Sequence, residues 1–150
     1  MRKDLATPQV ESLVRVRIER QNSRLGRETT ARLWAILDEA VLRRTVGSVE
    51  VMRDQMRKLV EASEQPNVTV ELLPFSLGAH PGLYGPFVIL TFPHPTPDLV
   101  WLENPKNSVY LESPSDVDNY MDIFDQLRGT ALDPSETRTR IVRISKELEE

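Results

Sequence analysis

The chain contains no cysteine. That excludes disulfides, thiolate metal sites, iron–sulfur clusters and a cysteine nucleophile, and it fits a reducing, cytoplasmic setting. Histidine is nearly as scarce: only His80 and His94, fourteen residues apart and both in expected loops. A zinc site needs three or four ligands, usually including a close-spaced pair, and no HExxH or His-x-His is present, so neither a metal nor a cofactor is expected. No apolar run approaches the ~20 residues of a membrane helix. The opening MRKDLATPQVESLV has charges where a secretory apolar region would sit, so neither a signal peptide nor a membrane association is expected. Glycine is sparse, six in 150 residues. Three of the six fall within FSLGAHPGLYGPFVIL, residues 75–90.

A length of 150 residues suits one domain, 1–150, able to bury ~70% of its unfolded surface. A hydrophobic fraction of 39% and a charged fraction of 28% are ordinary for a globular chain. The net charge of −4 and pI near 5.3 speak against a free-standing DNA-binding domain. One basic stretch exists, Arg2, Lys3, Arg15, Arg17, Arg20, Arg24 and Arg27 against Asp4, Glu11, Glu19 and Glu28. Three net positive charges there read as the solvated face of a helix rather than a phosphate-binding patch.

Thr7-Pro8, Ser113-Pro114 and Asp133-Pro134 each set a capping side chain before a proline suited to the first helical position. They predict helices from Pro8 to about Leu25, from Pro114 to Gly129, and from Pro134 onward. The first has Val10, Leu13, Val14 and Ile18 on one side and Gly26 as its stop. A further helix is expected from Ser48, with Val49, Met52, Met56, Leu59 and Val60 at helical spacing. Leu33 to Leu37 reads as a buried strand ended by Asp38, with one helical turn over Glu39 to Arg43. Asn67 to Phe75 alternates and is rich in valine, so it predicts a strand. Gly85–Phe92, Asp98–Glu103 and Ser108–Glu112 follow as three more, joined by PHPTPD and NPKN. Short connections of this kind join antiparallel neighbours. The expected fold is α+β: a small, mostly antiparallel sheet of four to five strands, with about four helices on one face or at its ends.

Gly78, Gly82 and Gly85 form G-x-x-x-G-x-x-G, which is neither the P-loop nor the Rossmann pattern. No Gly-Lys-Ser/Thr occurs, and a strand follows rather than a helix. The glycines are expected to take positive φ while Pro81 and Pro86 stiffen the connection. No Gly-x-Ser-x-Gly elbow is present, and no catalytic residue is assigned. Asp38-Glu39 follows an apolar strand, so one carboxylate is expected to be partly buried with a raised pKa; a helix cap is the plainer use of such an acid. Were a hollow to lie beneath the 75–86 loop, its candidate ligand-binding residues would be Trp34, Asp38, His80, Tyr84, Phe87, Trp101 and Glu103.

Several phrases carry a resemblance: the strand ending LDEAVLRR, PNVTVELLPF, GAHPGLYGPF, VWLEN, VYLESPSDVDNYMDIFDQLRG and the DPSETRTRI helix. From about Ile18 to Leu148 the chain resembles a domain of unknown function in actinobacteria, one that lies C-terminal to a helix-turn-helix domain in antitoxin-like transcriptional regulators. The resemblance implies a part in transcriptional control beside a small partner protein. It implies no catalytic residues. Such proteins usually begin with a DNA-binding domain, which this sequence does not show, so no direct specific DNA binding is expected. The leading expectation is an interaction or ligand-sensing domain, a homo-oligomer whose amphipathic first helix is covered by a second copy, with a regulator or small protein as further partner. The alternative is a protein that binds a small apolar metabolite and serves as a cofactor-free cyclase or isomerase in secondary-metabolite biosynthesis, by holding a reactive conformer.

Overall fold

The structure, a computed structural model, describes residues 7–25, 31–103 and 107–148. Gly26, the expected helix stop, lies outside the described residues. So do Arg2, Lys3, Asp4, Arg27 and Glu28 of the basic stretch and residues 104–106 of the NPKN turn.

The fold is α+β, with five described helices and two small sheets. Helix α1 (Thr7–Leu25) precedes strand β1 (Leu33–Asp38), the single turn α2 (Glu39–Arg43), α3 (Val49–Ser63) and β2 (Val68–Leu73). Two 3-10 turns, Phe75–Leu77 and Pro81–Tyr84, lead to β3 (Val88–Leu90), β4 (Leu99–Glu103) and β5 (Ser108–Leu111). Helices α4 (Pro114–Thr130) and α5 (Pro134–Glu147) close the chain.

The expectation of one mostly antiparallel sheet is corrected. β1 pairs with β2 in parallel, Leu33 opposite Val68 through Asp38 opposite Leu73. β3, β4 and β5 form a separate antiparallel sheet. The reason lies in the connection: α2 and α3 fill the span between β1 and β2, and a helical crossover returns the chain in the same direction. The burial of β2 agrees, since Val68, Val70, Leu72 and Leu73 are all buried and Glu71 with them. Parallel strands are covered on both faces, so they bury residues of both parities.

Alternation sets the two faces of the pair. Leu37 and Leu72 lie on one, packed with Leu42, Met52 and Met56, and with Ile141 and Ile144 of α5. Trp34 and Glu71 lie on the other, where the Trp34 ring meets Phe124 of α4 edge-on at 6.2 Å between centroids. The parallel pair is therefore sandwiched between α3 and α5 on one side and α4 on the other. On its β2 edge the α4–α5 turn adds one bridge, where Leu132 N–H donates to Leu72 O at 2.8 Å.

Four of the expected caps form, while the Thr7 side chain lies outside the described residues. Asp38, Ser48, Ser113 and Asp133 each accept a backbone N–H at the start of a helix. Asp133 accepts two, from Ser135 at 2.7 Å and Glu136 at 2.8 Å. Replacing Asp133 with alanine is expected to lower stability by about 1 kcal/mol, as for other N-caps; urea denaturation measures it. On α4 the sequence sets Val117, Tyr120, Met121, Phe124 and Leu127 on one expected apolar face; Val117 and Leu127 are buried, whereas Met121 is 39% exposed. No described helix is long and apolar enough to cross a membrane.

Candidate functional site

Parallel pairing brings the carboxyl ends of β1 and β2 together, the end at which open α/β sheets place their ligands. Asp38-Glu39 leaves one strand there, and the Pro74–His80 loop leaves the other. His80 Nε2 lies 3.1 Å from Asp38 Oδ2, across 42 residues of sequence. The second Asp38 oxygen caps α2, accepting Ala40 N–H at 2.7 Å. Asp38 thus serves as helix cap and as partner of the imidazole at once.

Glu39 is the buried member of the acidic pair, 2% exposed. Both of its oxygens are engaged. Oε1 accepts from Arg43 Nε at 2.7 Å. Oε2 accepts from Arg140 at 3.1 Å and from Phe75 N–H at 3.2 Å. Arg43 also holds Glu147 at 2.9 Å. The expected raised pKa is corrected. Burial pushes the Glu39 carboxyl up, but the bonds from Arg43 and Phe75 and the charges of Arg43 and Arg140 outweigh it and hold it below its ordinary value. A carboxylate so engaged is an anchor joining α2, α5 and the 75 loop, not a proton acceptor. Glu39, Arg43 and Arg140 are absent from the sequence-predicted site. Arg43, four residues after Glu39 on a helical turn, was the one signal within reach; Arg140 came from another helix.

The glycine loop packs against this cluster. Gly78 has φ +73° and Gly85 φ +137°, conformations open to glycine. Gly82 is needed for a different reason: a Cβ there would stand 3.0 Å from His80 Nδ1 and 3.5 Å from Leu127. The His80 side chain is 7% exposed, and its Nδ1 is buried with no hydrogen-bond partner. The arrangement has the orienting carboxylate and imidazole of an acid–base pair, yet Gly82 closes over the nitrogen that would act.

The other candidates do not gather here. Trp34, on the α4 face of β1, donates Nε1–H to the buried Glu71 carboxylate at 3.0 Å and lies under Arg128, 4.9 Å from its ring centroid. Trp34→Phe keeps an aromatic side chain but removes that donor and the pyrrole half of the indole, so a loss of about 1–3 kcal/mol is expected in chemical denaturation. Phe87 packs on Tyr120 of α4 at 5.1 Å between ring centroids. Tyr84 points outward, 97% exposed. Trp101 and Glu103 lie on β4. Two open surface hollows also lie elsewhere among the described residues. One, about 330 Å³, runs along α1 beside Val10, Val14 and Ile18. The other, about 550 Å³, is a groove between α3 and α5. Among the described residues no three His, Asp or Glu side chains converge as metal ligands.

One family's sequence model matches residues 1–143 of the chain, that described as Domain of unknown function (DUF5753). The chain belongs to the DUF5753 family. No curated protein and no solved structure matches it.

This DUF5753 chain leaves two apolar surfaces open. On α1, Val10, Leu13, Val14, Val16 and Ile18 are each 42–53% exposed. On the three-stranded sheet, directly opposed residues share a face, so Val88, Trp101 and Tyr110 line one side with Leu90 and Leu99 beside them. Val88 is 42%, Leu90 39% and Tyr110 60% exposed, whereas Val100 on the opposite face is fully buried. Trp101 keeps its indole N–H buried without a protein partner.

Proposed function

We propose that this chain is a non-enzymatic interaction domain of the kind carried by antitoxin-like regulators, that it does not bind DNA itself, and that it works as a self-associated unit held by α1. The exposed apolar side of α1 carries this reading: Val10, Leu13, Val14 and Ile18, four large aliphatic side chains on one side of the helix, remain accessible to water. Contiguous apolar surface of this kind marks an interaction site. The acidic net charge of −4 supports the absence of a DNA-binding role.

Sedimentation equilibrium of the full chain tests the reading. A concentration-dependent dimer that Val14→Asp returns to monomer is the expected result. A wild-type chain that stays monomeric across the accessible concentration range would sink it, as would a salt-resistant mobility shift with a defined operator sequence.

A further inference from the structure

We infer that α1 of one copy lies across the open face of the β3-β4-β5 sheet of a second copy, and that two chains exchange these helices about a two-fold axis. The inference rests on the reading of the chain as self-associating and names the surface that meets α1.

The two surfaces match in size. From Val10 to Ile18 the apolar side of α1 runs about 12 Å at ~1.5 Å per residue. The outer strands of a three-stranded sheet stand about 10 Å apart at ~4.8 Å per strand. One crossing helix therefore reaches Val88 on β3, Trp101 on β4 and Tyr110 on β5. They also match in charge. Residues 7–25 carry four arginines against two glutamates. Residues 88–112 carry Asp98, Glu103 and Glu112 against Lys106 alone. A net positive helix over a net negative sheet is electrostatically complementary. Pairing α1 with another α1 would instead set two net positive helices together and leave the sheet bare.

Symmetry favours the exchange as well. Each chain supplies one helix and one sheet, and in this structure Val14 and Tyr110 of the same chain are both exposed, 48% and 60%. A reciprocal swap covers both surfaces on both chains and closes at two copies, with no open end to propagate. Trp101 on the central strand and Tyr110 beside it on an outer strand are residue types that anchor interfaces.

The chain has no cysteine, so cross-linking reads the contact directly. V14C and Y110C variants are mixed and oxidised under mild conditions. The expected product is a covalent V14C–Y110C dimer, with little product from either variant alone. In parallel, Val14→Asp and Tyr110→Asp are each expected to raise the dimer dissociation constant about tenfold or more. Both side chains are exposed in the single chain, so far-UV circular dichroism should be unchanged. If V14C alone cross-links as well as the mixture, or if Tyr110→Asp leaves intact a dimer that Val14→Asp dissociates, the exchange is overturned while self-association through α1 stands. If the wild-type chain forms no dimer at any concentration, both fall together.

Discussion

Replacing Glu39 with alanine is expected to lower the unfolding free energy by about 3 kcal/mol. Removing one partner of a buried ion pair typically costs ~3–5 kcal/mol, because the remaining charge is left uncompensated. Here the low end applies: the side chains of Arg43 and Arg140 are 35% and 27% exposed, so water can take over part of their solvation. Phe75 N–H loses its acceptor too. Glu39→Gln separates charge from shape, since an amide oxygen can still accept from Phe75 or an arginine. It should lose less than alanine.

The pH dependence follows from the same group. Folding lowers the Glu39 pKa, so its contribution is present above the unfolded carboxyl's ~4.3 and is lost as pH falls through the lower folded value. The wild-type chain should lose stability through this acid window, and Glu39→Gln should show a shallower loss there. Urea midpoints from pH 6 downward, about two units on either side of the carboxyl range, measure both arms. Parallel curves for the two proteins would mean that Glu39 is not the group that titrates.

The second large effect is in the core. Leu72→Ala should cost about 4 kcal/mol, toward the upper part of the ~2–5 kcal/mol range for such truncations. Leu72 is fully buried among Met56, Ile141 and Ile144. Its neighbours belong to two helices and a paired strand, and its own carbonyl is held by Leu132 N–H. These elements cannot close on the space without breaking backbone hydrogen bonds, so most of the cavity should remain. Thermal and urea unfolding should agree on the loss. A cost under about 1 kcal/mol would mean that the core collapses around the site, against the packing described.

Glu39 and Leu72 also show how far the sequence could be read. The position of Glu39, after an apolar strand and inside a predicted helical turn, was legible, and so was the burial of one acid in the pair. The direction of its pKa was not, because that depends on Arg140, 101 residues away. Leu72 was legible as a strand residue. The partner of its strand was not, since valine-rich alternation in NVTVELLPF is compatible with either direction of pairing. The helical span between Leu37 and Val68 was the stronger signal, and it favours parallel strands. The glycine loop divides in the same way. Gly78 and Gly85 do take the positive φ expected of them, but Gly82 is small because the His80 ring lies against it.

By itself the sequence determined the local features: the helix starts, the strand segments, the stripe of α3, and the acidic charge balance. Each depends on side chains a few residues apart, and capping and periodicity act at that range. Tertiary structure alone decided that β1 and β2 run parallel, that Asp38 meets His80 and Glu39 meets Arg140, and that the helix α1 and the sheet β3-β4-β5 keep their apolar faces in water. Those outcomes depend on which covered surface wins among distant segments. Apolar burial is non-directional and carries no address in the local sequence.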